Sequence, residues 1–178
     1  MIEGETQIYE IKDTTPEAFR LLIHWLYAQS LEGPIWKVPR PLPTIPDHEE
    51  AFAAYMQQKG TVDEDIINVI RLWVLAEYLL LPKLQNLAMD ELDRLCKAFS
   101  CLPLGRLEFI WDQTAEGSPL RKYFTDRYAR YLDFKANVDK LKFLRGDILM
   151  DLLVAMQPFR RVEPKDNLCD ISYYVPED

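Results

Sequence analysis

The chain is expected to fold as a mainly helical protein, on three observations. Apolar residues recur at three- and four-residue spacing through most of its long segments, which is the period of a helix face. Several of those segments open on a hydroxyl residue followed by proline, a combination that starts helices. Stretches that read as strands are short and few.

Gln7 to Lys12 (QIYEIK) reads as one short strand, because Ile8, Tyr9 and Ile11 suit a pleated surface. Thr15-Pro16-Glu17 then starts a helix, with a capping hydroxyl, a proline at the first helical position and acid in the first turn. Phe19, Leu22, Ile23, Leu26 and Tyr27 follow as one apolar stripe, widened by Leu21 and Trp25, so this helix is expected to be covered on more than one side. From about Ser30 to Gly60 the pattern breaks. Pro34, Pro39, Pro41, Pro43 and Pro46 cannot continue a helix and favour an extended path. Glu49 to Lys59 recovers a few helical turns, and the whole segment reads as a long surface insertion.

Asp63 is expected to open the strongest helix. Ile66, Ile67, Ile70, Trp73, Val74, Ala76 and Leu79 leave it apolar on most sides, which predicts a central position. Leu81-Pro82 ends or bends it. A second helix from about Pro82 to Ala98 turns Leu84, Leu87, Ala88, Leu92 and Leu95 inward, so the two form a helical hairpin. Three more helices follow. One starts at Pro103 and carries Leu104, Leu107, Ile110 and Trp111. Another is capped by Ser118-Pro119 and carries Leu120, Phe124, Tyr128 and Tyr131. The last covers about Asp147 to Met156, with Ile148, Leu149, Leu152 and Leu153. Residues 159–178 read as a tail with a short strand at Ile171 to Val175, a candidate partner for Gln7 to Lys12.

Composition narrows the function classes. Of 178 residues 48% are hydrophobic, enough for a packed core. A net charge of -8, from 29 acidic and 21 basic residues, argues against nucleic-acid binding, which draws on clustered positive charge. No apolar stretch approaches the ~20 residues that span a bilayer, and Met1 to Glu5 do not read as a signal peptide. Three cysteines, Cys96, Cys101 and Cys169, make no disulfide framework, so an intracellular, reducing setting (cytoplasm or nucleus) is expected.

Four stretches resemble a known family in the right order. They are Phe19 followed by Trp25-Leu26-Tyr27, Leu72-Trp73-Val74-Leu75-Ala76-Glu77, Leu81-Pro82-Lys83-Leu84-Gln85-Asn86, and Ser118-Pro119-Leu120-Arg121. Together they resemble the second half of a BTB/POZ domain of the fungal kind, and the late Cys169 is similar to a habit of such proteins. The resemblance implies a truncated BTB/POZ-like helical core over residues 1–99, interrupted by the proline-rich insertion, then a helical extension over 100–158 and the tail. Phe19, Trp25, Leu26, Tyr27, Trp73, Leu75, Pro82 and Leu84 are the family-motif core on this reading. The family's opening hairpin, histidine-bearing strand and first two helices have no counterpart before Met1. The resemblance further implies protein partners, including self-association. Met1-Ile2-Glu3 is similar to the hydrophobic-x-Glu segment that meets a cullin-type ubiquitin ligase scaffold in many relatives, which makes Met1 and Glu3 candidate contacts.

The chemistry-bearing residues have local explanations. His24 and His48 lack a neighbouring nucleophile and an orienting group. Cys96 and Cys101 would need two further ligands to hold zinc, and they read as buried thiols. Asp63, Glu64 and Asp65 are expected at a helix head, and Asp90, Glu91 and Asp93 on a solvated face. Trp36, among prolines, is a candidate exposed anchor. No catalytic residue, cofactor or metal is expected. The rival readings are a small hydrolase or metal enzyme, which requires His24, His48, Cys96, Cys101 and acids to converge in one pocket, and an incomplete gene-model fragment with no independent function.

Overall fold

The computed structural model describes Ile11 and residues 14–32, 49–98, 104–156 and 175–176, and among them all regular structure is helical, as the sequence predicts. The expected strand at Gln7 to Lys12 lies outside the described residues except for Ile11, and that at Ile171 to Val175 except for Val175. Met1, Glu3, Trp36, His48, Cys101 and Cys169 lie outside them as well.

Helix α1 spans Pro16–Ala28 and starts as its sequence dictates. The Thr15 hydroxyl accepts the Ala18 N–H at 3.3 Å and donates to the Asn68 carboxamide oxygen at 3.2 Å, so the cap also ties α1 to its neighbour. Gln29 ends the helix in the left-handed region (φ 53°); its N–H donates to the Trp25 carbonyl at 2.7 Å, and its side chain donates to the Trp25 and Leu26 carbonyls.

Helix α2 spans Glu49–Tyr78 and corrects the expected boundary at Asp63. The part read as an insertion is continuous with the strongest helix. Glu49 and Glu50 suit a helix N-terminus, and most of the next nine residues are alanine, methionine, glutamine and lysine, all good helix formers. Gly60 costs only ~1 kcal/mol against that run. Asp63, Glu64 and Asp65 therefore lie inside a helix rather than at its head, and Asp65 is buried.

Helix α3 spans Pro82–Ala98 and folds back on α2 as the predicted hairpin. The joint between them has a specific geometry. The Leu81 N–H bonds to the Ala76 carbonyl at 2.9 Å and the Leu80 N–H to that of Glu77 at 3.1 Å, with Leu80 at φ 56°. That is a Schellman ending with leucine where glycine is usual. Ile66, Val69, Ile70, Trp73 and Ala76 of α2 and Leu84, Ala88, Met89, Leu92, Leu95 and Cys96 of α3 share one core cluster, and α2 also packs against α1.

After a 3₁₀ turn at Leu104–Arg106 come α4 (Leu107–Gln113), α5 (Pro119–Tyr131), a single-turn α6 (Val138–Leu141) and α7 (Gly146–Met156). Ser118 caps α5 through the Leu120 N–H at 3.3 Å, as predicted. Leu107, Ile110, Trp111, Leu120, Phe124, Tyr128, Ile148 and Leu152 join the same core cluster as the hairpin. Leu153, expected inside, is 54% exposed. With Met150 and Val154 it shares the outward face, because α7 is a peripheral helix that buries one narrow stripe.

Candidate functional site

The outer face of α1 is the largest departure from the expected burial. Its inner face, Ala18, Leu21, Leu22 and Trp25, is spaced i, i+3, i+4, i+7 and packs into the core. Phe19 (41% exposed), Ile23 (38%), Leu26 (50%) and Tyr27 (88%) form a second stripe at i, i+4, i+7, i+8, and it faces solvent. The expectation that this helix is covered on more than one side is corrected. Both stripes obey the same period, and α2 covers only one of them. Of the family-motif residues, Trp25, Trp73, Leu75 and Leu84 are core and Pro82 is half-buried at the hairpin joint, whereas Phe19, Leu26 and Tyr27 are surface.

His24 stands beside this stripe, half-buried. Its Nε2 lies 3.0 Å from the Glu32 carbonyl oxygen and, since a carbonyl can only accept, Nε2 carries the proton. The ring thereby holds the chain that leaves α1 against the helix.

A polar cluster joins the hairpin to α5. The Asp93 carboxylate accepts from the Tyr123 hydroxyl at 3.2 Å and pairs with Lys97 at 2.6 Å and Arg127 at 3.5 Å. The Arg127 guanidinium lies 6.0 Å from the Tyr123 ring centre and 5.5 Å from that of Tyr131. Glu91, two residues before Asp93, is buried and paired with Arg94, whose Nε donates at 2.8 Å. Of the acids expected on a solvated face, only Asp90 is exposed. Glu91 and Asp93 face inward because cations on α3 and α5 pair with them.

Cys96 sits against this cluster, fully buried as predicted. Burial pushes its thiol up to about 11 and raises the Tyr123 phenol as well, so neither group ionises near neutral pH. Cys96 thus reads as a packing residue whose thiol is protonated at neutral pH. Among the described residues no group of three or more His, Cys, Asp or Glu side chains is placed to hold a metal. No helix among them is long and apolar enough to cross a membrane.

The Ser118-Pro119-Leu120-Arg121 stretch has a structural role that its sequence did not reveal. Arg121 reaches back to the end of α4, donating to the Trp111 carbonyl at 2.6 Å, to the Thr114 hydroxyl at 3.0 Å and to the Thr114 carbonyl, and it lies over the Trp111 ring. It caps the carbonyls that α4 leaves open. The Trp111 indole in turn donates to Asp151 of α7 at 3.0 Å.

Two cavities flank these elements. One of 760 Å³ opens between Leu104, Glu108, Tyr131, Asp133, Lys140 and Phe143. The other, of 510 Å³, is walled by Trp73, Glu77, Leu80, Pro82, Gln85 and Pro119 together with Val175 and Pro176 of the tail. Neither is lined by His24 or Cys96. The position that sequence reasoning missed is Asn86, whose carboxamide holds the Val175 main chain. Its only signal was a polar residue on a buried helix face. No family model, curated protein or solved structure matches the chain.

Proposed function

We propose that the chain is a protein-interaction module, BTB/POZ-like in its helical core, that works without catalysis by presenting the outer face of α1 to another apolar helix. The observation that carries this reading is the solvent-facing stripe Phe19, Ile23, Leu26 and Tyr27. Two aromatic and two aliphatic side chains aligned along one rigid helix suit a protein contact, and contiguous apolar surface of this kind marks association sites. The partner helix is that of a second copy. A twofold pair brings the same stripe against itself, which is the commonest way for a soluble chain to cover such a face. The outward face of α7 is a poorer candidate, because Met150, Leu153 and Val154 cover barely one turn and include no aromatic ring. A cysteine–histidine hydrolase is less well supported, since the Cys96 thiol is held protonated and His24 Nε2 is committed to the Glu32 carbonyl.

Light scattering across a concentration series tests the reading. The wild-type chain is expected to approach twice the monomer mass, Leu26→Glu to stay at the monomer mass, and Leu153→Glu to behave as wild type. A wild-type monomer at every concentration, or a dimer indifferent to Leu26→Glu, overturns it.

A further inference from the structure

The second cavity holds a recognisable form of peptide capture. The Val175 N–H donates to Asn86 Oδ1 at 2.7 Å, and Asn86 Nδ2 donates to the Val175 carbonyl at 2.8 Å. This two-way exchange is what a neighbouring strand would offer an extended residue, supplied here by one buried side chain on α3. It reads main chain only, so any extended segment satisfies it. Selectivity then comes from the walls, where Trp73, Pro82 and Pro119 line the same cavity as Pro176. An indole among prolines is the kind of surface that receives proline-bearing peptides.

Two features indicate that the groove is not used up by its own tail. The space left open beside the tail, 510 Å³, falls within the range of ligand pockets, roughly 300–1,000 Å³. Two of its polar groups also remain unspent. The Trp73 indole N–H is buried and finds no acceptor, a costly state in a packed interior. The Glu77 carboxyl, half-buried on the same wall, has its pKa raised by burial. A bound peptide carbonyl would satisfy the first, and a peptide N–H the second.

We propose that this groove is a receptor site for an extended segment of a partner protein bearing a β-branched residue followed by proline, and that Val175-Pro176 is the resident ligand which that segment displaces. The site uses no residue of the outer α1 face, so it stands or falls apart from self-association through that helix.

The test is fluorescence anisotropy with a labelled octapeptide of the sequence of residues 171–178 (ISYYVPED), titrated with full-length chains whose folding is checked by circular dichroism. A chain carrying Val175→Asp and Pro176→Asp is expected to bind the probe saturably and at least tenfold more tightly than wild type, whose site is mostly filled by its own tail. Adding Asn86→Leu to that chain weakens binding at least tenfold. A probe with Asp-Asp in place of Val-Pro does not bind. Pro176→Ala, a milder change, gives the same order of affinities should the double variant misfold. Equal affinity for wild type and tail variant, or no saturable binding by either tail variant, overturns the proposal. So does a dimer that survives Leu26→Glu and is lost with Val175→Asp, which would assign the groove to the tail of a second copy.

Discussion

In the α2–α3 hairpin, apolar side chains of both helices are buried from Val62 to Cys96, whereas α1 buries one stripe and leaves a second, equally apolar one in solvent. Composition does not separate them, and neither does period. The difference is one of neighbours. Helix α2 packs against both α1 and α3, while α1 has a described neighbour on one side only. The hairpin's apolar residues are thereby accounted for by stability. Among the described residues the outer side chains of α1 are left largely exposed, which is why they carry the proposed function.

The contrast is broken most easily by paired truncations. Trp73→Ala, which empties a fully buried site between helices, is expected to cost about 3–5 kcal/mol by chemical denaturation. Tyr27→Ala is expected to change the stability of the monomer by no more than ~0.5 kcal/mol. Similar costs for the two would mean that the α1 face is covered and the comparison is wrong.

A smaller effect, set by burial in the same hairpin, is a pH dependence. The Cys96 thiol, whose ordinary pKa is 9.0 in the unfolded chain, is pushed up to about 11 by burial in the folded one. The native state therefore keeps its proton where the unfolded state has lost it. The stabilisation is complete below about pH 9 and is lost as pH rises to about 11, by about 2–3 kcal/mol at most. Denaturation curves across that window should show a fall that is shallower in Cys96→Ala. An identical slope in the two proteins would place Cys96 in contact with water.

The smallest expected effect sharpens the picture of the hairpin joint. Leu80 combines a left-handed backbone with a side chain 85% exposed, so it contributes strain and little packing. Leu80→Gly should stabilise the chain by ~1 kcal/mol, read as a rise in melting temperature. A loss of stability would mean that Leu80 packs in solution against something that the described residues do not include.

Much of this was legible in the sequence where a signal is local. Thr15-Pro16 and Ser118-Pro119 announced their helices, Leu81-Pro82 the hairpin joint, and Trp73 and Leu84 their burial, because caps, prolines and helical period act within a few residues. Longer-range features were not legible. The phase of α1 depends on where α2 packs, and Leu21-Leu22-Trp25 and Ile23-Leu26-Tyr27 satisfy the same pattern. The start of α2 was misplaced because the prolines up to Pro46 and Gly60 outweighed the good helix formers between them. Asp93 read as a surface acid, since its partner Arg127 is distant in sequence. Asn86 carried only the weak signal of a polar residue on a buried helix face, because its partner Val175 is distant in sequence.

The central claim, that the outer face of α1 meets another copy of itself, is tested most directly by a disulfide at its middle. In a twofold helix pair the central residue of the stripe, Ile23, faces its own equivalent at a Cα separation that a disulfide can bridge, about 4.4–6.8 Å. Ile23→Cys, in a chain whose Cys101 and Cys169 are changed to serine, should form an interchain disulfide under mild oxidation, with Leu153→Cys in the same background as the control. Efficient crosslinking at position 23 and little at 153 is the predicted result. Equal crosslinking at the two positions, or none at 23, would contradict the account.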